Sequence, residues 1–327
     1  MNNKISEYPI ISLVAPVYNE ADSLSDLFSA LAQIRESLFN LGFLLEVLLV
    51  DNHSSDNSWK QICLWASELS SDCYKVAIRH PENLGMQNSL ITGIRHSRGD
   101  VIVVMQSDLQ DPPHLVVEMV KLWSEGAKIV FSKIKKRNGD LFSRLGSWLF
   151  YRLLRIASSH PVQKDSSDFY LFDSSFKDTV IKESGTTPFI RHTLSSLDAR
   201  KSIIPYERLE RSVGRSKFNL RSRLSFGATA LIRDLDGLTV KIALLSSVMG
   251  FASFGSLIML AISFTFGYRS PVSGWVSSTA LQLLTLASVL FLGSALLFIA
   301  SKIYKELPRS DRSVNSVIIR GGLYSHQ

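Results

Sequence analysis

The first third of the chain alternates short apolar runs with helical patterns. The runs are IISLVAPV (10–17), LEVLLV (45–50), KVAIR (75–79) and VIVVM (101–105). Near-continuous apolar runs of this length suit strands buried on both faces, as in a parallel sheet. Between them, Leu24, Leu27, Phe28, Leu31, Ile34 and Leu38 recur at helix spacing within 23–41. Trp59, Ile62, Leu64, Trp65 and Leu69 do the same within 57–69, and a shorter helix is predicted over 87–96. The order strand, helix, strand, helix predicts a doubly wound α/β sheet, whose ligands bind beyond the carboxyl ends of the strands.

The middle is less regular. SKIKKRNGDLFSRLGSWLFYRLLRI (132–156) reads as a basic loop running into an amphipathic helix. The amphipathic part, 141–155, suits either a headgroup plane or a packing face on the sheet or a neighbouring subunit. KDSSDFYLFD (164–173) reads as a turn feeding a strand, and 196–218 as basic and loop-rich.

From Leu238 the pattern changes. Residues 238–266 carry one charge, Lys241, and the charge-free stretch WVSSTALQLLTLASVLFLGSALLFIA follows the linker GYRSPVSG. Each exceeds the roughly 20 apolar residues that cross a bilayer core. Tyr268 and Trp275 sit where interfacial aromatics are expected. Arg221, Arg223, Arg233 and Lys241 precede or enter the pair, Lys302, Lys305, Arg309 and Arg312 follow it, and only Arg269 lies in the linker. By the positive-inside rule both flanks face the cytoplasm. The N-terminus, MNNKISEYPI, has no long apolar core of a signal peptide, which agrees. The expected organisation is a catalytic domain over 1–220, a juxtamembrane segment over 221–237, transmembrane helices over 238–266 and 275–301, and a cytoplasmic tail over 302–327.

Composition adds little. The 327 residues hold 36 basic and 29 acidic side chains, a formal +7, compatible with nucleic acid, anionic lipid or phosphorylated substrates. No nucleic-acid-binding module accompanies that charge, and a membrane hairpin disfavours one. Cys63 and Cys73 fit no metal spacing and read as ordinary thiols of a reducing compartment.

Chemistry concentrates after the strands, in PVYNE, DNHSSD, HPENLG and QSDLQDPP. Asp51 closes a buried run, and a buried carboxylate needs a partner, which points to a ligand. Asp56 reads better as a helix cap. Asn19 in PVYNE, or Asp22 just after it, serves equally as a cap, and NLG by itself is a turn. On an extended segment Gln106, Asp108 and Gln110 share one side, offering one carboxylate and two amide oxygens. Hard oxygen donors suit Mg²⁺ or Mn²⁺. The same stretch reads equally as an Asp-Pro-Pro turn starting a helix at Pro112, with Asp111 as its cap.

Taken in order, VAPVYNEADSL, VLLVDNHSSDNS, NLGMQNSLITGIRHSRGD, VIVVMQSDLQDPP, KKRNGDLFSRLGSWLFYRLL, DSSDFYLFD and RSVGRSKFNL resemble family 2 glycosyltransferases of the GT-A fold. They are most similar to the polyprenyl-phosphate glycosyltransferases, the group of dolichyl-phosphate-mannose synthase and the bactoprenol glucosyltransferases. The terminal hairpin fits, and the resemblance runs from about Ile10 to Lys302. It implies a GT-A catalytic domain, Mg²⁺ or Mn²⁺ as cofactor, a nucleotide-sugar donor (UDP before GDP) and a polyprenyl phosphate acceptor met at a lipid surface. Relatives assemble through their membrane ends, so a homo-oligomer is compatible. Asp108, Asp168 and Arg137 are the implied catalytic residues. Pro16, Tyr18, Glu20, Asp51, Asn83, Gly85, Gln106 and Ser107 are implied at the nucleotide sugar. Lys136, Arg211, Arg215, Ser216 and Lys217 are implied at the acceptor phosphate, and Asp108 with Gln110 at the metal.

Two positions depart from the family pattern. Gln106 stands where the first acid of Asp-x-Asp is expected, so one negative charge is missing. Lys133 stands where arginine is common, which reduces a bidentate phosphate contact to a point charge. Weaker metal affinity with retained activity is the expected result; a membrane scaffold that has lost turnover is the alternative. A processive polysaccharide synthase is disfavoured, since no Gln-x-x-Arg-Trp segment is present and one hairpin is little membrane for a polymer channel.

Overall fold

The computed structural model describes residues 8–68, 70, 73–135, 166–183, 190–208, 236–266, 275–306 and 316–322. They form two compact units, an α/β unit and a helical pair. The α/β unit contains β1 (Ile10–Val17), α1 (Leu24–Asn40), β2 (Leu44–Asp51), α2 (Ser58–Ser67), β3 (Cys73–Arg79), α3 (Met86–His96), β4 (Val101–Val104), α4 (Leu115–Ser124), β5 (Ile129–Ile134) and β6 (Ser166–Asp173). It continues with α5 (Lys177–Glu183), α6 (Ile190–Ser196) and β7 (Lys201–Tyr206), and ends with β8 (Val317–Gly322).

One eight-stranded sheet, in the order β7-β5-β6-β4-β1-β2-β3-β8, organises the unit. Strands β4, β1, β2 and β3 pair in parallel, and β6 and β8 run antiparallel to their neighbours. Every residue of β2 and β4 is buried, as expected for strands covered on both faces. Alternate side chains enter two cores. Leu13, Val47, Val103 and Leu171 face α1, α2 and α4, whereas Val14, Leu48, Val104 and Tyr170 face α3, α5 and α6. The doubly wound, mostly parallel sheet expected from the apolar runs is the architecture observed.

Three segments differ from the sequence-based expectation. The start of the basic loop expected from residue 132 is strand instead, because Ile129–Ile134 form β5, with Lys133 exposed among buried neighbours. The loop-rich reading of 196–218 missed β7, which pairs in parallel with β5. The tail expected over 302–327 contains β8, which adds antiparallel to the outer edge of β3. Gly321 makes that docking possible: a Cβ there would collide with the carbonyl oxygen of Ala66 on α2.

The second unit is α7 (Asp236–Thr265) and α8 (Trp275–Glu306). Within them, Thr239–Met259 and Ser277–Ala300, 21 and 24 residues, are long and apolar enough to cross a membrane. Their burial is inverted relative to a water-soluble protein. Thr239, Ser246 and Ser253 on α7 and Ala280, Ala287 and Ser294 on α8 are buried, while Val248, Phe251, Phe254, Leu281, Val289 and Leu296 are exposed. The buried residues recur every seven positions, the period of a left-handed helix pair. The Ser253 hydroxyl donates to the carbonyl of Ala280 across the seam at 2.8 Å.

Candidate active site

The loops after β1, β2 and β4 and the turn before α3 form the crevice at the carboxyl end of the sheet. Among the described residues, the non-glycine positions with positive φ are Asn19 (53°), His53 (62°) and Leu109 (53°), one in each of those loops. Such conformations are costly for residues with a Cβ and persist where surrounding contacts enforce them.

Those contacts are side chains from one loop capping the backbone of the next. Ser54 Oγ accepts from Asn19 N–H at 2.9 Å, Ser58 Oγ from Glu20 N–H at 2.9 Å, and Asp56 Oδ2 from Ala21 N–H at 3.1 Å. Asn19 Oδ1 accepts in return from Ser55 N–H at 2.8 Å. Asp56 also accepts from Ser58 N–H at 2.9 Å, so it joins two loops beyond the helix-start role expected of it. On the other side, Asn52 donates to Asn83 Oδ1 at 2.8 Å and accepts from Leu84 N–H at 2.8 Å. Gly85, at φ 84°, then opens α3.

Pro16 lies at the end of β1, with Tyr18 projecting partly into solvent and Glu20 half-buried beyond it. Asp51 is fully buried. The partner its burial demands is internal: Arg79 Nε stands 3.2 Å from Oδ2, and Ser54 N–H approaches both oxygens at 3.2 and 3.3 Å. Burial pushes the Asp51 carboxyl up, against the downward pull of Ser54 and Arg79. Arg79 was not foreseen as part of the site; its basic position at the end of β3, next to β2 in a parallel sheet, was the available signal.

The 106–111 segment is not extended, which corrects the expectation that Gln106, Asp108 and Gln110 share a side. The strand ends at Val104, a turn follows, and Leu109 takes the left-handed conformation while packing against the apolar core. Gln106 Nε2 instead meets Met86 Sδ at 3.3 Å, at the start of α3. Ser107 is buried, and Asp108 is half-buried with Oδ1 accepting the Gln110 N–H at 3.2 Å.

Asp111 does not cap a helix from Pro112. Helix α4 starts at Leu115, and the backbone carbonyls of Pro112 and Pro113 accept from Leu115 and Val116. Asp111 is buried under β7 and accepts the Tyr206 hydroxyl, with Arg208 Nε 3.8 Å from the same oxygen. Its other oxygen has no hydrogen-bond partner among the described residues. Burial raises the Asp111 carboxyl, and the fields of Asp108 and Asp168 add to that. Asp168 lies near enough to the same loop for its charge to act on Asp111. Asp168 Oδ1 is 4.0 Å from Arg191 Nη1 on α6.

Among the described residues no three His, Cys, Asp or Glu side chains group closely enough to hold an ion by themselves. The hard-oxygen donors of this loop are the Asp108 carboxylate and the Gln110 amide. This hard-oxygen set fits a Mg²⁺ or Mn²⁺ ion that keeps waters and takes phosphate oxygens. Lys136, Arg137, Arg211, Arg215, Ser216 and Lys217, and the amphipathic stretch 141–155, lie outside the described residues. Two cavities of about 330 Å³ flank α1, and neither is lined by the crevice loops after β1, β2 or β3.

Residues 12–185 match the domain described as Glycosyl transferase family 2. The chain is 28% identical over 305 residues to an uncharacterized Bacillus subtilis glycosyltransferase, YkcC, covering 90% of each. It is 26% identical over 294 residues to the bactoprenol glucosyl transferase of Shigella phage SfV, covering 86% of this chain and 88% of that one. Among solved structures, the mannosyltransferase PcManGT from Pyrobaculum calidifontis, in complex with GDP-Man and Mn²⁺, is 19% identical with a TM-score of 0.47, covering 93% of this chain and 88% of that one.

Proposed function

The chain belongs to glycosyl transferase family 2 and is a glycosyltransferase, and from that premise we propose that it transfers a sugar from a nucleotide diphosphate sugar, UDP-linked before GDP-linked, to a polyprenyl phosphate at the cytoplasmic face of a membrane. The observation that carries the acceptor is the inverted burial of α7 and α8, with small residues inside and large apolar ones outside. Such a pair has its natural solvent in lipid, where close packing of small residues holds helices together. A long isoprenoid acceptor is confined to that phase, at about 0.8 kcal/mol per buried methylene. The likeness to a bactoprenol glucosyl transferase over most of both chains agrees. That β8 follows the helical pair and joins the same sheet as β1–β7 supports placing both flanks of the pair on one side of the bilayer.

Pro16, Tyr18, Glu20 and Asp51 frame the nucleoside, and Asn83, Gly85, Gln106 and Ser107 border the diphosphate near the amino end of α3, where backbone N–H groups favour an anion. Asp108 and Gln110 would hold the divalent cation, which supplies charge neutralisation for the departing diphosphate. The acceptor phosphate has a second pKa near 6 and is mostly a dianion at neutral pH. It therefore needs no strong base, only cations to hold it against the donor's charge: Lys136, Arg137, Arg211, Arg215 and Lys217, with Ser216 as a neutral donor. Asp168, loosely paired with Arg191, orients the sugar or the acceptor. A single displacement inverts the anomeric centre.

The test is a screen of UDP- and GDP-sugars with undecaprenyl phosphate and Mn²⁺ or Mg²⁺, using the full chain in detergent. Formation of a polyprenyl-phosphate-linked sugar is the expected result. Transfer to water-soluble acceptors alone would overturn the acceptor assignment. Gln106, bonded to Met86 instead of adding a carboxylate, favours one second reading, a membrane scaffold without turnover, and the absence of transfer with every donor would support it.

A further inference from the structure

Tyr206 stands where three of the chain's motif segments converge. It is the last residue of β7, in register with Ile134 at the end of β5. Its carbonyl accepts from Lys135 N–H at 2.8 Å, so the ends of these two parallel strands are tied together. One strand leads directly into Lys136 and Arg137, and the other leads through Arg208 into the Arg211–Lys217 segment. The Tyr206 hydroxyl donates to Asp111, the last acid of the 106–111 loop. Its ring packs edge-on against Phe169, 6.4 Å between centroids, beside Asp168 on β6.

We propose that Tyr206 is a positioning residue of the transfer reaction. Through Asp111 it fixes the loop carrying Asp108 and Gln110 at a set distance from the roots of both basic segments. Asp111 is suited to the role. It is buried away from water, and one of its oxygens already lacks a hydrogen-bond partner among the described residues. Loss of the tyrosine hydroxyl leaves a buried carboxylate that, among the described residues, keeps the 3.8 Å contact to Arg208 alone, so the loop must move to rehydrate it. Arg208 couples the same carboxylate to the chain that continues towards Arg211. The arrangement ties the loop of Asp108 and Gln110 to the two strand ends that precede the basic segments, and a transfer between two anions depends on such positioning. This inference rests on the cation and acceptor-phosphate assignments above.

The experiment compares Tyr206→Phe, Asp111→Asn and Asp108→Asn in the full chain in detergent. Mn²⁺ binding is followed by electron paramagnetic resonance, which needs no knowledge of the sugar, and kcat and KM are measured with the donor found above. Tyr206→Phe is expected to weaken Mn²⁺ binding and lower kcat, each about tenfold, the usual effect of losing a hydrogen bond to a charged group. Donor KM should change less than kcat. If Tyr206→Phe does not fold, Asp111→Asn, which keeps an acceptor for the hydroxyl but removes the charge, carries the same test with a smaller expected loss. Tyr206→Phe/Asp111→Asn should regain melting temperature without regaining kcat. A Tyr206→Phe protein with Mn²⁺ affinity and kcat within about twofold of the parent overturns the proposal, as does a double variant that regains both. Unchanged Mn²⁺ binding in Asp108→Asn sinks the cation assignment separately, and kcat then decides the role of Tyr206 alone.

Discussion

Asn52 and Asn83, 31 residues apart, meet side chain to side chain at 2.8 Å and join the loop after β2 to the turn that opens α3. Asn52 also accepts from Leu84 N–H, so one amide holds two points of that turn. Asn52→Ala is expected to cost about 1–3 kcal/mol of stability, since it leaves partly buried polar groups unpaired. Donor KM should rise several-fold while kcat changes less, because the diphosphate side of the crevice loosens. Denaturant melts and donor-dependent kinetics check both.

Gln106 removes a carboxylate from the cation site, and restoring it should be visible. Gln106→Asp is expected to tighten Mn²⁺ about tenfold, on the order of 1–2 kcal/mol once desolvation offsets part of the new attraction. It also breaks the contact with Met86, so the gain appears in metal titration before it appears in kcat. Asp108→Ala should lower transfer about a thousandfold. Transfer that survives in Asp108→Ala removes the cation from that position.

His80 predicts an acid limit on stability. It is buried beyond β3, with Nε2 3.0 Å from Thr92 Oγ1, and Thr92 donates onward to Asn88. Thr92 therefore accepts from the neutral ring, and among the described residues Nδ1 has no hydrogen-bond partner. Burial lowers the His80 pKa to about 4. The unfolded chain takes up its proton near 6.5, so the fold's advantage is complete above that pH and is lost as pH falls towards 4. The loss is on the order of 3 kcal/mol. Denaturant midpoints between pH 7 and pH 4 should fall in the parent and fall less in His80→Phe.

The β8 edge is a stability element with one vulnerable position. Gly321→Val places a branched side chain where even a lone Cβ would collide with the Ala66 carbonyl. Strand β8 should detach and uncover the outer edge of β3, a surface that promotes association between chains. A melting temperature lower by several degrees and greater light scattering on warming are the expected readouts.

In the helical pair, Ser253→Leu puts a large side chain in the seam against Ala280 and should separate α7 from α8. Ser253→Ala loses only the hydrogen bond, about 0.6 kcal/mol in a membrane setting. Thermal stability in detergent should therefore rank Ser253→Leu far below Ser253→Ala, with the latter near the parent.

Much of this protein is local and was legible as such. The runs at 10–17 and 45–50 specify buried strands because nearly every residue is apolar, and the helices between them are specified by 3.6-residue spacing. The lengths of the apolar segments after Leu238 need no tertiary information either. Composition alone marks the loops after the strands as polar and unusual. Strand β8 escaped because VIIRGG is a short run whose pairing partner, β3, lies more than two hundred residues earlier. Helix α6 and β7 escaped because their cores are supplied by β5 and β6.

The tertiary structure decided where each polar group finds its partner. Asp51 read as a carboxylate in need of a partner, and parallel pairing supplies one by setting Arg79 directly across from it. Asp111 read as a cap, yet two prolines form the turn and Tyr206, 95 residues away, takes the carboxylate. Gln106, Asp108 and Gln110 read as one row, yet the turn at Leu109 breaks it. In the helical pair the sequence determined two apolar helices, and only their packing selected the face of small residues as the seam. Periodicity encodes which side of an element avoids water; it carries no record of which distant group satisfies a buried donor or acceptor, because that depends on chain paths between residues far apart.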